Sequence, residues 1–375
     1  MSAVGAAAGA WLAGPAKLLA RPPAAARVAV GMCADYNAEV TSTLQAMFDR
    51  LGGLEGMVRG KTVAIKLNLT GVATDRMGHM PQGITHWVHP EVVGAAVHLL
   101  GKAGAKRIRL LESPWNTAEP LEEFLLQANW EPRDFLSAAP LVEFENTNYL
   151  GNGKKYSRFW VPGGGLMCKG YDLNHSYEDC DVFVSLAKLK EHVTTGVTLS
   201  MKNCFGIIPC TIYGDGCSED GPSLIPKGGR GLFHDGNRLP SKSAPPLLNA
   251  TVPKDGGYRV PRVVADLVAA RPIHLGIIDG IQTISGGEYP FWLRPWGRQV
   301  QPHLLIAGLN CVATDAVSMA LMGFDPMADR GTAPFETCDS TLRLAEQLGV
   351  GTRDLDRIEV VGTPIAKARF NFRRA

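Results

Sequence analysis

From about residue 27 onward, apolar positions along the chain switch between two spacings. Short apolar runs rich in β-branched residues cover 28–32, 61–68 (KTVAIKLN) and 107–112 (RIRLLE), and each reads as a strand. Residues 37–51 and 91–101 carry helical spacing between them. The second of these opens on His89-Pro90 and has Gly104 near its end, the usual punctuation of a helix. Residues 119–129 predict another helix. Strand and helix in alternation predict a parallel sheet with helices on its faces. In the second half, 181–186 (DVFVSL), 274–279, 303–307 and 357–361 predict strands, and 260–270, 312–322 and 339–348 predict helices. A further helix is expected to begin near Thr194. The fold class is therefore α/β, a mainly parallel sheet with helices on both faces, and no internal repeat is visible.

Two stretches break the pattern. Residues 71–88 form a polar loop. Residues 210–260 are rich in Gly, Pro, Ser and Asn with little periodicity, and an aperiodic segment of that length inside a compact domain points to a lid or an elaborated insertion. Ahead of the first strand, residues 3–16 (AVGAAAGAWLAGPA) have the length of an export-signal core but no Lys or Arg before them. Two readings stand: a loose cytoplasmic tail, or the remnant of a signal whose basic part lies upstream, which would place the protein in the periplasm or outside the cell. The stretch is too short and glycine-rich to span a membrane, and no other stretch resembles a span. The expected organisation is a tail over 1–26 and one α/β domain over 27–375.

Composition narrows the function classes. Hydrophobic residues make up 45% of the chain, enough for a sizeable core without staples. The net charge of +2 gives no case for nucleic-acid binding, which shows as a basic excess on one face. Among the eight cysteines there is no C-x-x-C pair, which removes zinc ribbons, thioredoxin-type redox and the bacterial ferredoxin run. Cys204, Cys210 and Cys217 are the closest cluster. They read as buried thiols, with a disulfide or a three-thiolate metal site as the alternative.

Candidate chemistry concentrates at strand ends, where ligands of parallel sheets bind. Lys66, Asn68 and Glu112 fall there, and Lys188, Lys190 and His192 follow directly on the strand DVFVSL. Lys202 and Asn203 come ten residues later. A helix starting near Thr194 would add its first-turn amides to the same region. Such a cluster suits a carboxylate, a phosphate or an enolate-like oxyanion; a lysine within it could be a base or nucleophile, and His192 an acid/base or metal ligand. Lys188, Lys190, His192 and Lys202 are the catalytic candidates, and Lys66, Asn68, Glu112, Asn203 and Gly206 the ligand-binding ones. Asp279 and Asp315 are placed to balance the lysines or hold a divalent metal, although Asp315 could equally serve a helix dipole. Gly163, Gly164 and Gly165 lack dinucleotide-loop spacing, and no Walker motif, G-x-S-x-G elbow or H-E-x-x-H motif is present.

The run DVFVSLAKLKEHVTTGVTLSMKNCFGIIP resembles the central signature of the domain of unknown function 362 family. VAIKLN, HPEVVGAAVHLLGKAGAKRIRLLES, IIDGIQTISGGEYP and LLIAGLNCVATDAVSMALMGFDP resemble it in the same order, over roughly 60–330. The resemblance implies an α/β fold and one site gathering Lys66, Asn68, Lys188, Lys190, His192, Lys202, Asn203, Asp279 and Asp315. It also implies association with iron–sulfur chemistry, through an appended ferredoxin-like domain in some members, and twin-arginine export in others. This chain lacks the four-cysteine run, so a cluster would have to come from a partner or from the irregular cysteines. It also has Asn310-Cys311 where the family usually shows Asp-Pro.

The expected function is that of an enzyme acting on a small anionic molecule in a Lys/His/Asn/Asp cleft, with a redox step fed by a separate ferredoxin-like electron donor as one form of it. The rival readings are a non-catalytic anion or metal carrier and an iron–sulfur or electron-transfer accessory.

Overall fold

The computed structural model describes residues 26–148, 156–218, 220–223, 226, 228–239, 241–287 and 297–373. The N-terminal stretch 3–16 and the last two residues lie outside the described residues.

Eight strands form one sheet: β1 (Ala26–Met32), β2 (Thr62–Lys66), β3 (Arg107–Glu112), β4 (Val142–Asn146), β5 (Val182–Lys188), β6 (Leu275–Gly280), β7 (Leu304–Gly308) and β8 (Ile358–Gly362). Their order is β8-β1-β7-β6-β5-β2-β3-β4. β2 lies parallel to β5 with Val63 opposite Val182, and β5 parallel to β6 with Leu275 opposite Val184. Only β7 runs against its neighbours, with Gly308 opposite both Val28 and Gly276. The sheet is thus mainly parallel, as the alternation of elements predicts.

Side chains of successive residues in a strand point to opposite faces, and each face here has its own core. Val63, Ile65, Val184, Leu186 and Ile277 pack with α1 (Glu39–Arg50), α2 (Pro90–Lys102) and α3 (Leu121–Gln127). Ala64, Phe183, Ala187, Ile278 and Ile306 pack with α4 (Gly256–Ala270), α5 (Cys311–Leu321) and α6 (Thr341–Gln347). Helices therefore cover both faces. Both faces of the central strands being buried is why these strands read as unbroken apolar runs rather than alternating ones.

Three local differences from the sequence reading matter. No helix starts at Thr194: Lys190–His192 and Gly196–Thr198 pair as an antiparallel hairpin, and a helix of four residues follows at Ser200–Asn203. Val193, Thr194 and Thr195 make the turn, their β-branched side chains disfavouring helix, and Gly196 opens the second strand at φ +73°. β4 and the hairpin of Tyr156–Trp160 with Gly170–Asn174 add strands where the sequence pattern predicts none. The aperiodic segment 210–260 carries short helices at Cys210–Tyr213 and Gly231–His234 among its described residues. Asn310, at the point of departure from the family pattern, caps α5 by accepting from the Ala313 amide at 3.0 Å. Among the described residues no helix is long and apolar enough to cross a membrane.

Candidate functional site

A cavity of about 570 Å³ opens beyond the carboxyl ends of β2, β3 and β5, on the α4 side of the sheet. That is where a parallel sheet leaves room for a ligand. Seven of the candidate residues line it: Lys66, Asn68, Glu112, His192, Lys202, Asn203 and Gly206.

Its floor is a buried ion pair. Lys66, the last residue of β2, places Nζ 2.6 Å from Glu112 Oε1 at the end of β3. The ammonium also donates to the Leu67 carbonyl and to Asn203 Oδ1 at 3.2 Å. Glu112 in turn accepts from the Leu69 and Ser113 amides, each at 2.9 Å. Burial lowers the Lys66 pKa while Glu112 holds it up. Asn203 anchors the group by donating from Nδ2 to Ser185 Oγ at 3.0 Å and to the Lys66 carbonyl at 3.2 Å. Asn68 accepts from the Lys188 amide at 3.2 Å, tying the β2 loop to β5. Gly206 lies against this pair: a Cβ there would stand 2.8 Å from Lys66 Nζ.

Above the floor stand two histidines with Lys202 and Arg230. His192, on the hairpin, accepts the Thr194 amide at Nδ1 at 3.0 Å. Its neutral form therefore carries hydrogen on Nε2. His234 contacts the Arg230 carbonyl through Nδ1 at 3.4 Å; a carbonyl can only accept, so Nδ1 holds the hydrogen and Nε2 the lone pair. Burial, then the charge of Lys202, pushes the His234 pKa down to about 4 and that of His192 well below its usual range. Both rings are neutral at physiological pH. Arg230 is buried, donating from Nε to the Ile208 carbonyl at 2.7 Å and from Nη2 to the Ser113 carbonyl and hydroxyl at 2.8 and 2.9 Å. Its Nη1 makes no hydrogen bond among the described residues. Asp215 in this wall serves the backbone, accepting from the Gly231 amide at 2.7 Å. One donor imidazole, one acceptor imidazole and two cations around a cavity can bind an anion and move a proton.

The remaining candidates lie elsewhere. Lys188 and Asp279 form a fully buried pair at 2.8 Å on the opposite face of the sheet, under α1 and α2. Lys188 Nζ also donates to Tyr36 Oη at 2.9 Å and the Gly83 carbonyl at 2.6 Å, and Tyr36 donates to Asp279 at 2.9 Å. Burial lowers the Lys188 pKa to about 8. Lys190 points to the same side and donates to the His86 carbonyl. Asp315, on α5, accepts from the Ser200 amide and hydroxyl and from the Met201 amide at 3.0 Å. It thereby occupies the first amides of the Ser200–Asn203 helix, and no helix begins near Thr194 to offer its amides to a ligand; burial pushes the Asp315 pKa up to about 7.

The three clustered thiols are free in the structure. Cys204 is buried and donates to the Ser200 carbonyl, while Cys217 donates to the Thr211 carbonyl at 2.9 Å. Burial raises all three thiol pKa values, Cys204 to about 12. No group of three His, Cys, Asp or Glu able to hold a metal ion exists among the described residues, and Asp279 and Asp315 face opposite sides of the sheet. The residues present do not fit an iron–sulfur cluster. Sequence reasoning missed Trp115, Arg230 and His234, all in aperiodic segments.

Comparison with known proteins gives a family. The profile described as Domain of unknown function (DUF362) matches residues 63–320. The thylakoid-associated protein sll1697 of Synechocystis sp. is similar, at 27% identity over 169 residues, 45% of this chain and 46% of that protein. The match thus spans about half the length of that relative. A crystal structure of a Thermotoga maritima protein aligns over 82% of this chain and 58% of its own at 13% identity, with a TM-score of 0.38, too distant a likeness to bear on the fold.

Proposed function

The chain belongs to the DUF362 family, whose matched region includes every described residue lining the cleft, and from that premise we propose that it is an enzyme acting on a small anionic molecule. The observation that carries the reading is the complementary pair of neutral histidines beside Lys202 and Arg230. The two cations hold the anion, Arg230 as a planar fork and Lys202 as a point charge. His192 donates Nε2–H to the oxygen on which charge develops, and His234 accepts the substrate proton at its free Nε2 lone pair. Lys66, Glu112 and Asn203 act beneath them as positioning residues. Within this proposal the step is a proton transfer, or a redox step in which a separate ferredoxin-like partner supplies electrons. The two differ in whether the pure protein turns over without an added donor.

The test begins with calorimetric titration of the full chain with small carboxylates and phosphates. Lys202→Gln is expected to weaken the anion that binds by about tenfold, the scale of a charged hydrogen bond. His234→Gln is expected to keep binding but to slow exchange of solvent deuterium into the bound molecule, or its turnover, by about 10²–10⁴. Binding that ignores Lys202→Gln would sink the reading. Binding without any exchange or turnover would instead make the protein an anion carrier.

A further inference from the structure

The cleft is far larger than its charged end requires. Pockets of roughly 300–1,000 Å³ bury most of a drug-sized organic ligand, whereas a bare oxyanion would fill only a corner of this 570 Å³ cavity. The rest of its lining is apolar in a particular place. Trp115 is half-buried, with the Nε1 edge of its indole against Gly229, where a Cβ would stand only 3.0 Å from Nε1. Val193, at the turn of the hairpin that carries His192, borders the same cavity and is 41% exposed, one of the exposed large apolar side chains of the molecule. Leu69 lines the wall leading inward to Glu112. An indole and an exposed valine lining the same cavity as two cations match a ligand with one charged end and one flat apolar end.

We propose that the substrate is an organic anion with a flat, aromatic body, its charged head between Lys202 and Arg230 and its body lying along Trp115 and Val193. This rests on the reading of the cleft as an anion site and names the class of molecule that fills it. Flat rings stack on indole with a gain beyond simple burial, and the exposed Val193 loses its contact with water when the body covers it. Selectivity then comes from Trp115 and Val193 and charge recognition from Lys202 and Arg230.

Calorimetry of the full chain with four probes, inorganic phosphate, phenyl phosphate, acetate and benzoate, tests the division. The aryl member of each pair is expected to bind at least about tenfold more tightly than the bare ion. Trp115→Ala should weaken the aryl probes about five- to tenfold and change the bare ions less than twofold. Val193→Ser, a change at an exposed turn that leaves the fold alone, should weaken the aryl probes about two- to threefold. Equal affinity for aryl and bare anions, or equal losses for both in Trp115→Ala, overturns the assignment while leaving the anion site standing. Failure of all four probes, with Lys202→Gln no different, removes the anion site itself.

Discussion

Gly206 is required by its neighbours rather than by its own backbone. A methyl there would stand 2.8 Å from Lys66 Nζ and 3.3 Å from Glu112 Oε1, inside an ion pair with both partners buried. Gly206→Ala must displace the ammonium or the loop. The expected loss of stability is about 1–3 kcal/mol, read as a lower urea midpoint at unchanged m-value. An unchanged midpoint would show that the loop gives way freely. Lys66 and Glu112 could be read from the sequence because each closes an apolar run, and a polar residue at the carboxyl end of a parallel strand faces the ligand crevice. Lys188 and Asp279 close strands as well, yet strand position alone does not say which face. Parity separates the two lysines: Lys188 keeps step with Val184 and Leu186 under α1 and α2, whereas Lys66 keeps step with Ala64 on the side of the cavity, and Glu112, in step with Ile108 and Leu110, reaches that cavity only because it ends its strand. Arg230, His234 and Trp115 had no periodic signal at all. Contacts distant in sequence place them, such as the bonds from Arg230 to the carbonyls of Ile208 and Ser113.

Among the elements, the Ser200–Asn203 helix is too short to stand alone, since a single turn fixes several residues for one hydrogen bond. It is held by the Asp315 carboxylate across the Ser200 and Met201 amides. Asp315→Ala leaves two buried amides unsatisfied, and about 2–4 kcal/mol of stability is expected to be lost in chemical denaturation. The same variant should weaken anion binding, because Lys202 and Asn203 ride on that turn. Full stability in Asp315→Ala would mean that water replaces the carboxylate. Elements with long apolar runs, such as β2, β5 and α2, were evident from pattern alone. β4 was not: it is a five-residue edge strand whose Glu143 and Glu145 interrupt the apolar signal. The 190–198 hairpin carries its own signature, since V-T-T-G-V-T is β-branched around a glycine, but the short run lacks the length that separates a strand pair from the start of a helix.

Over the whole molecule, proton binding sets how stability follows pH. Burial holds His86, His89, His192, His234 and His274 below their ordinary value of 6.5, with His89 and His234 at about 4. Between about 4 and 6.5 the unfolded chain therefore binds protons that the folded chain does not, and each such histidine makes stability rise with pH. Asp315 and Asp266 act the other way, because burial raises their pKa values and the folded state keeps the proton. Five groups against two predict a net rise from pH 5 to 6.5, each histidine contributing at most about 1.4 kcal/mol per pH unit. Urea midpoints across that range check it, and a flat or falling trend contradicts it. The placement of β1 has a consequence for how the chain is made. Its neighbours in the sheet are β7, at Leu304–Gly308, and β8, at Ile358–Gly362. A ribosome adding about 5–20 residues per second delivers the first of them roughly 15–60 s after β1 itself. β2 to β6 can assemble meanwhile, since each pairs with another strand of that block and only β6 also waits for β7. The nascent chain thus carries β1 as an unpaired apolar segment until β7 emerges, a natural place for a chaperone to bind.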